Sequence, residues 1–270
     1  MRYLFCLLLA CLCNTTLAAD QLPVRFLLTF DDGPDTGTTG STPLIVKQLA
    51  DNPVTPGIKA IFFVQTAHPI RGGSEAGKAQ MRASCASGHR LAVHSGLAAG
   101  HVPHTHLSAD ELEMSLISGQ QDIAAQCGEA AKLVRPPDWE YSPATQAVYR
   151  KLGLGMLLTD VNARDGKIYG WHMSLRRRSH MNAELTQAKT AIEAQKLSGV
   201  DGVIPVVVTF HDTNDYTAAH MTEYLQILVE EAGKVGLPLA SPPFYTDGKA
   251  AEQAAIQRSK QVVYSRQSWP

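Results

Sequence analysis

Short apolar runs alternate with helically spaced segments along most of this chain. Residues 24–30, 59–64, 90–93, 132–134, 155–159, 203–210 and 237–239 read as strands, being short, apolar and rich in β-branched or aromatic side chains. Helical spacing predicts helices over 42–52, 76–86, 108–127 and 217–233, and another starting at Ser142-Pro143. Ser108 followed by Glu111 has the form of a capping box, and Leu112, Leu116, Ile123 and Cys127 then keep to one helical face. Pro143 suits the first position of a helix. Strand and helix in alternation predict an α/β fold, with a parallel sheet or barrel inside and helices outside. Residues 164–183 read as a long irregular loop over one face. Residues 250–267 are polar and helix-prone, and 250–270 read as a peripheral C-terminal tail.

Length and charge narrow the picture. A chain of 270 residues, 44% hydrophobic, suits one large core, and about 250 residues is an ordinary size for an α/β barrel. With 24 basic and 25 acidic residues there is no global reason to expect nucleic acid or an anionic membrane as partner. The run Arg176-Arg177-Arg178 reads either as a solvated loop or as a contact for an acidic polymer.

The N-terminus reads as an export signal over residues 1–19. Arg2 precedes an apolar stretch over 3–12 that is too short to cross a bilayer, and small residues at Thr16-Leu17-Ala18-Ala19 offer a cleavage site. The mature chain is then a domain over 20–249 plus the tail, in the periplasm or outside the cell. Leu8-Leu9-Ala10-Cys11 also resembles a lipoprotein site, with lipidation of Cys11 as the alternative. No later run is long enough for an integral membrane span. Only Cys85 and Cys127 lie beyond the signal. In an oxidising compartment they suggest a disulfide, with two buried thiols as the alternative, and no zinc-type cysteine spacing is present.

Chemistry gathers at the strand ends. The predicted strands run into Asp31-Asp32, His94, Arg135, Asp160 and His211-Asp212. Barrel enzymes place reactive groups at the carboxyl ends of their strands, so five such endings on one rim suggest a site. The adjacent like charges of Asp31 and Asp32 are most simply managed by a cation. His89, His94, His101, His104 and His106 all fall within eighteen residues. Imidazole and carboxylate together suit zinc first among the divalent ions.

These segments carry a family resemblance. Thr29-Phe30-Asp31-Asp32-Gly33-Pro34 resembles the first signature of the NodB-type polysaccharide deacetylases, carbohydrate esterase family 4. Lys59-Ala60-Ile61-Phe62-Phe63-Val64 resembles the strand that follows it, and Gly88-His89-Arg90-Leu91-Ala92-Val93-His94-Ser95 the start of the second signature. Arg135-Pro136-Pro137, Asp160-Val161-Asn162-Ala163-Arg164-Asp165 and Phe210-His211-Asp212 resemble the third, fourth and fifth, in the family's order. The resemblance implies a distorted (β/α)7-type barrel and a metal-dependent removal of acetyl groups from an N-acetylated polysaccharide. It implies Asp31 as general base, Asp32 and His94 as metal ligands, Arg135 orienting Asp31, His211 as general acid and Asp165 holding its imidazole.

Three departures stand out. The family's second metal histidine lies four residues after the first, where this chain has Ala98; His101 follows three residues later and is the expected ligand, with His104 the alternative. The third signature continues as Asp138-Trp139-Glu140 rather than aromatic-glycine, which makes Trp139 the candidate wall of an acetyl pocket. The fourth lacks its tryptophan after Asp165, and Trp171 is the candidate substitute. Peptidoglycan or an exopolysaccharide containing N-acetylglucosamine is the leading substrate, with ester deacetylation a close variant. The alternatives are a non-catalytic glycan-binding module on the same fold and a metal-dependent amidase or esterase for non-glycan substrates.

Overall fold

A computed structural model of the chain describes residues 21–37, 40–165 and 176–261. Its elements are β1 (Val24–Asp31), α1 (Ser41–Ala50), β2 (Ile61–Gln65), α2 (Glu75–Ala86), β3 (Arg90–Ser95), α3 (Ala109–Cys127), β4 (Leu133–Val134) and α4 (Pro143–Lys151). Then follow β5 (Gly155–Met156), β6 (Val161–Asn162), α5 (Arg177–Glu193), β7 (Ile204–His211), α6 (Asp215–Lys234), β8 (Leu239–Phe244) and α7 (Gly248–Lys260). The strands pair in the order β5-β4-β3-β2-β1-β7-β6, and β8 adds to β1 at Val24 and Phe26. Every pairing is parallel, as strand–helix alternation requires, and the sheet curls into an open barrel.

Each strand serves two cores because successive side chains point to opposite faces. The outer face, with Phe26, Leu28, Phe30, Phe62, Val64, Val93, Val206, Val208 and Phe210, packs against the helices. The inner face forms a second cluster of Leu27, Ile61, Phe63, Ala92, Leu133, Leu157 and Val207. Going two residues further along each strand leads from this apolar layer to the mouth. Leu27 leads to Thr29 and Asp31, Ala92 to His94, Leu133 to Arg135, and Val207 to Thr209 and His211.

The tail expected to be peripheral closes the other end of the barrel. Ala251, Ala254 and Ala255 of α7 are buried in the inner cluster, because alanine is small enough to bring a helix onto the strand ends. Asp160 accepts from Arg258 Nη2 of this helix at 2.7 Å and from the Val207 amide at 2.8 Å, tying α7 to the sheet. The loop expected over 164–183 likewise gives way to helix from Arg177 onward. Its buried residues include Met181, Glu184, Leu185, Ala188 and Ala191, a face too mixed in polarity to stand out in sequence. Arg177 and Arg178 there donate to Glu223, Glu230 and Glu231 of α6, so two of the three clustered arginines are paired within the fold.

The Ser108–Glu111 capping box forms as expected, with the Ser108 amide 2.9 Å from Glu111 Oε2. Cys85 and Cys127 form a disulfide between the ends of α2 and α3, with Cα atoms 5.6 Å apart. Among the described residues no helix is long and apolar enough to cross a membrane. Residues 1–19, Trp171 and the end of the chain after residue 261 lie outside the described residues.

Candidate functional site

Three interacting groups meet at the barrel mouth. The first is Asp31, at the end of β1, with Arg135 just beyond β4. Arg135 is fully buried and donates from Nη1 to Asp31 Oδ1 at 2.7 Å and to Thr29 Oγ1 at 2.8 Å. Its Nε and Nη2 donate to the carbonyls of Leu157 and Leu158. The guanidinium carbon lies 4.1 Å from the Phe63 ring centre and 5.1 Å from that of Trp139. A buried arginine so fully engaged is a rigid donor that holds one Asp31 oxygen and leaves the other free for chemistry.

The second group is Asp32, His94 and His101. Pairing between β2 and β3 passes from Val64–Val93 to Gln65–Ser95, so His94 sits in a β-bulge. Such bulges re-aim side chains next to sites. His94 Nδ1 donates to the Arg135 carbonyl at 2.8 Å. That bond makes Nδ1 the donor and leaves Nε2 as the nitrogen turned toward Asp32, the one available to an ion. Nε2 is buried and lies 3.2 Å from Asp32 Oδ1 without a properly formed hydrogen bond. The same carboxylate oxygen is 3.4 Å from His101 Nε2. The three ligand atoms all lie within 4.8 Å of one another. One carboxylate and two imidazoles so close together form a donor set that fits a divalent metal.

The electrostatics agree. Burial raises the Asp32 carboxyl, but His94 above all, with His211 and His101, outweighs it and holds the group well below the usual carboxylate range. Burial opposes charge on His94, yet Asp32 and Asp31 raise its pKa overall. The cluster therefore favours positive charge at its centre.

The third group is His211 with Asp165. His211 Nδ1 donates to Asp165 Oδ1 at 2.8 Å, and its backbone amide donates to Asp165 Oδ2 at 2.8 Å. Thr217 Oγ1 donates to the same Oδ2 at 2.7 Å. Burial works to lower His211, but Asp165, followed by Asp32 and Asp31, pushes it up to about 10. With Nδ1 engaged, Nε2 is the ring nitrogen that remains for chemistry, on a side chain that is 28% exposed.

The other expected residues divide. His104 Nδ1 lies 2.7 Å from the Tyr149 hydroxyl and its Nε2 3.2 Å from the His94 carbonyl, so both nitrogens are occupied in the core behind His94. His89 sits at the opposite end of β3, accepting from the Ala60 amide, and burial lowers it to about 4. Asp160 is not part of the rim, since its pairing with Arg258 places it at the level of the inner apolar layer. Trp139 lies by Arg135 at the mouth, after an Asp138 that is also at positive φ. Sequence reasoning missed Thr29, Gln65, Thr209, Asn214 and Thr217, which hold the principal groups. For Thr29, Gln65 and Thr209 the signal was available as inward positions two residues along from Leu27, Phe63 and Val207.

The fold and site define an open α/β barrel with a carboxylate–imidazole cluster, able to hold a metal ion, at the carboxyl ends of its strands. A family model for polysaccharide deacetylases matches residues 21–157, and the chain belongs to that family, the NodB or carbohydrate esterase family 4 group. It is 26% identical over 197 residues to the peptidoglycan-N-acetylglucosamine deacetylase PgdA of Listeria monocytogenes; the match takes in 73% of this chain and 34% of that protein. The chain thus spans about a third of the length of that curated relative. A family 4 carbohydrate esterase from Streptomyces lividans in complex with acetate superposes with a TM-score of 0.56 at 26% identity, over 81% of this chain and 93% of that one. The chitin deacetylase of Colletotrichum lindemuthianum shares the fold, with a TM-score of 0.59 at 21% identity, over 81% and 85% of the two chains.

Proposed function

We propose that this protein is an exported, zinc-dependent deacetylase that removes acetyl groups from a glycan containing N-acetylglucosamine. The observation that carries the reading is Nε2 of His94 directed at Asp32 Oδ1, with His101 Nε2 beside the same oxygen. Asp32, His94 and His101 would hold the ion. When bound, a divalent cation there supplies Lewis acidity, lowering the pKa of water and offsetting charge on an oxyanion.

The remaining work falls to the chain's own side chains. Asp31 takes a proton from the attacking water, with Arg135 fixing the carboxylate's direction. His211 donates a proton from Nε2 to the departing nitrogen, and Asp165 favours the imidazolium this requires. Trp139 would flank the acetyl group. Ester hydrolysis needs the same water and oxyanion chemistry, so O-acetyl glycans are a close variant. The Cys85–Cys127 disulfide fits export to an oxidising compartment.

Acetate release from a panel of N-acetylated glycans, O-acetylated glycans and small amides tests this reading. Zinc-loaded protein should release acetate from an N-acetylglucosamine polymer, and Asp31→Asn should retain zinc yet lose about 10²-fold or more in rate. Equal activity in Asp31→Asn and the parent would remove the assigned base. Release from small amides alone would transfer the protein to a non-glycan amidase.

A further inference from the structure

Gln65 belongs to none of the roles above, yet it touches two parts of the metal centre. We infer that Gln65 is a positioning residue: its carboxamide sets the long His94–His101 segment in place against Asp32 and so determines the site's affinity for the cation. This rests on the metal centre proposed above and adds to it a residue that contacts no ion.

The argument begins with Asp32. It adopts φ 77, a left-handed conformation uncommon outside glycine, which aspartate visits more readily than most residues and which a local hold stabilises. Gln65 supplies the hold. Its Nε2 donates to the Asp32 carbonyl at 3.1 Å and lies 3.4 Å from Asp32 Oδ1, the oxygen that faces both imidazoles. Its backbone amide donates to the Gly33 carbonyl at 2.9 Å, and its own carbonyl accepts from the Gly72 amide at 3.1 Å. Gln65 is thus buried at the end of β2 and tied to the ligand loop from side chain and backbone alike.

Two acceptors on Asp32 require the amide end of the carboxamide, so Oε1 points the other way. It points at Gly100, the residue immediately before His101. Gly100 is at φ 74, and a Cβ there would fall 2.3 Å from Gln65 Oε1 and 2.4 Å from the His68 ring. The left-handed backbone calls for glycine at 100, and a side chain there would have to displace the Gln65 carboxamide and the His68 ring.

The consequence follows from the spacing. His101 stands seven residues after His94, and the extra chain must be folded so that its Nε2 still reaches Asp32 Oδ1. One planar carboxamide contacts the carboxylate ligand on one side and the hinge of the lengthened segment on the other. Residues behind the ligands typically alter metal affinity by about 10–100-fold when removed.

The test uses the full-length protein stripped with chelator and titrated calorimetrically with zinc chloride. Gln65→Leu, similar in size but without a donor, should bind zinc about 10–100-fold more weakly than the parent, with an unchanged melting temperature in chelator. Gly100→Ala should weaken binding in the same direction, and the double variant should be little worse than the weaker single one, because the two residues act as a unit.

Parent-like affinity in Gln65→Leu would overturn the positioning role while leaving the metal centre intact. A Gln65→Leu that melts well below the parent in chelator would assign the residue to folding, unless Gly100→Ala still loses zinc at a parent-like melting temperature. A parent that binds no stoichiometric zinc would overturn the metal centre itself, a different and recognisable result.

Discussion

The His211–Asp165 pair shows how far single side chains set the chemistry. Asp165 is fully buried and spends both oxygens on His211 and Thr217, so its charge bears on the imidazole almost undiluted. With His211 pushed up to about 10, the imidazolium persists through neutral pH. The pair's contribution to stability is complete below the ordinary imidazole pKa and fades as pH rises through about 10. A cation bound nearby lowers that upper value. Replacing Asp165 with Asn removes the largest cause of the upward shift, so the alkaline limb of kcat/KM should move to lower pH, with a loss of about 10²-fold at neutral pH. An unchanged alkaline limb in Asp165→Asn would detach the general acid from this pair.

Residue identities were legible in sequence where a motif and a strand end coincided, as at Asp31, His94 and Arg135. The supporting residues were not, because threonine, glutamine and asparagine are common everywhere and only the strand parity marks them. Thr29 is one example: it reads as an ordinary strand residue until Arg135, 106 positions away, is seen to donate to it.

At the scale of elements, the strands were legible because alternation is strong in residues rich in Val, Ile and Phe. Helix α5 was not, and α7 was legible as helix-prone but not as a buried element. The buried face of α7 is alanine, which helix and loop alike can carry, and its polar look comes from the exposed face. Its anchor, the ion pair of Arg258 with Asp160, spans 98 residues and has no local signature. Because both partners are almost fully buried, losing one leaves an uncompensated charge. Arg258→Ala should therefore cost about 3–5 kcal/mol in chemical denaturation, a far larger effect than an exposed pair such as Lys78–Glu75 would show. A loss below about 1 kcal/mol would mean that α7 is held by its alanines alone. The same pair explains why Asp160, although it begins the fourth signature, stands below the mouth.

For the molecule as a whole, the inner face of the sheet is a gradient. Alanines of α7 seal one end, a layer of Leu27, Phe63, Leu133 and Val207 fills the middle, and carboxylates with imidazoles occupy the other. The apolar middle gives the polar end a firm floor. The disulfide between α2 and α3 braces the helices flanking β3, whose last residues include His94. The open barrel could be read from strand–helix order, whereas its closure by the tail depends on long-range packing that order does not reveal.

The central claim is one cation held by Asp32, His94 and His101. Metal content per chain, measured by mass spectrometry after zinc loading and dialysis, tests it most directly. The parent should carry one zinc, Asp32→Ala should carry essentially none, and His101→Ala should lose more than His104→Ala. A parent without zinc, or an Asp32→Ala that keeps it, would contradict the account.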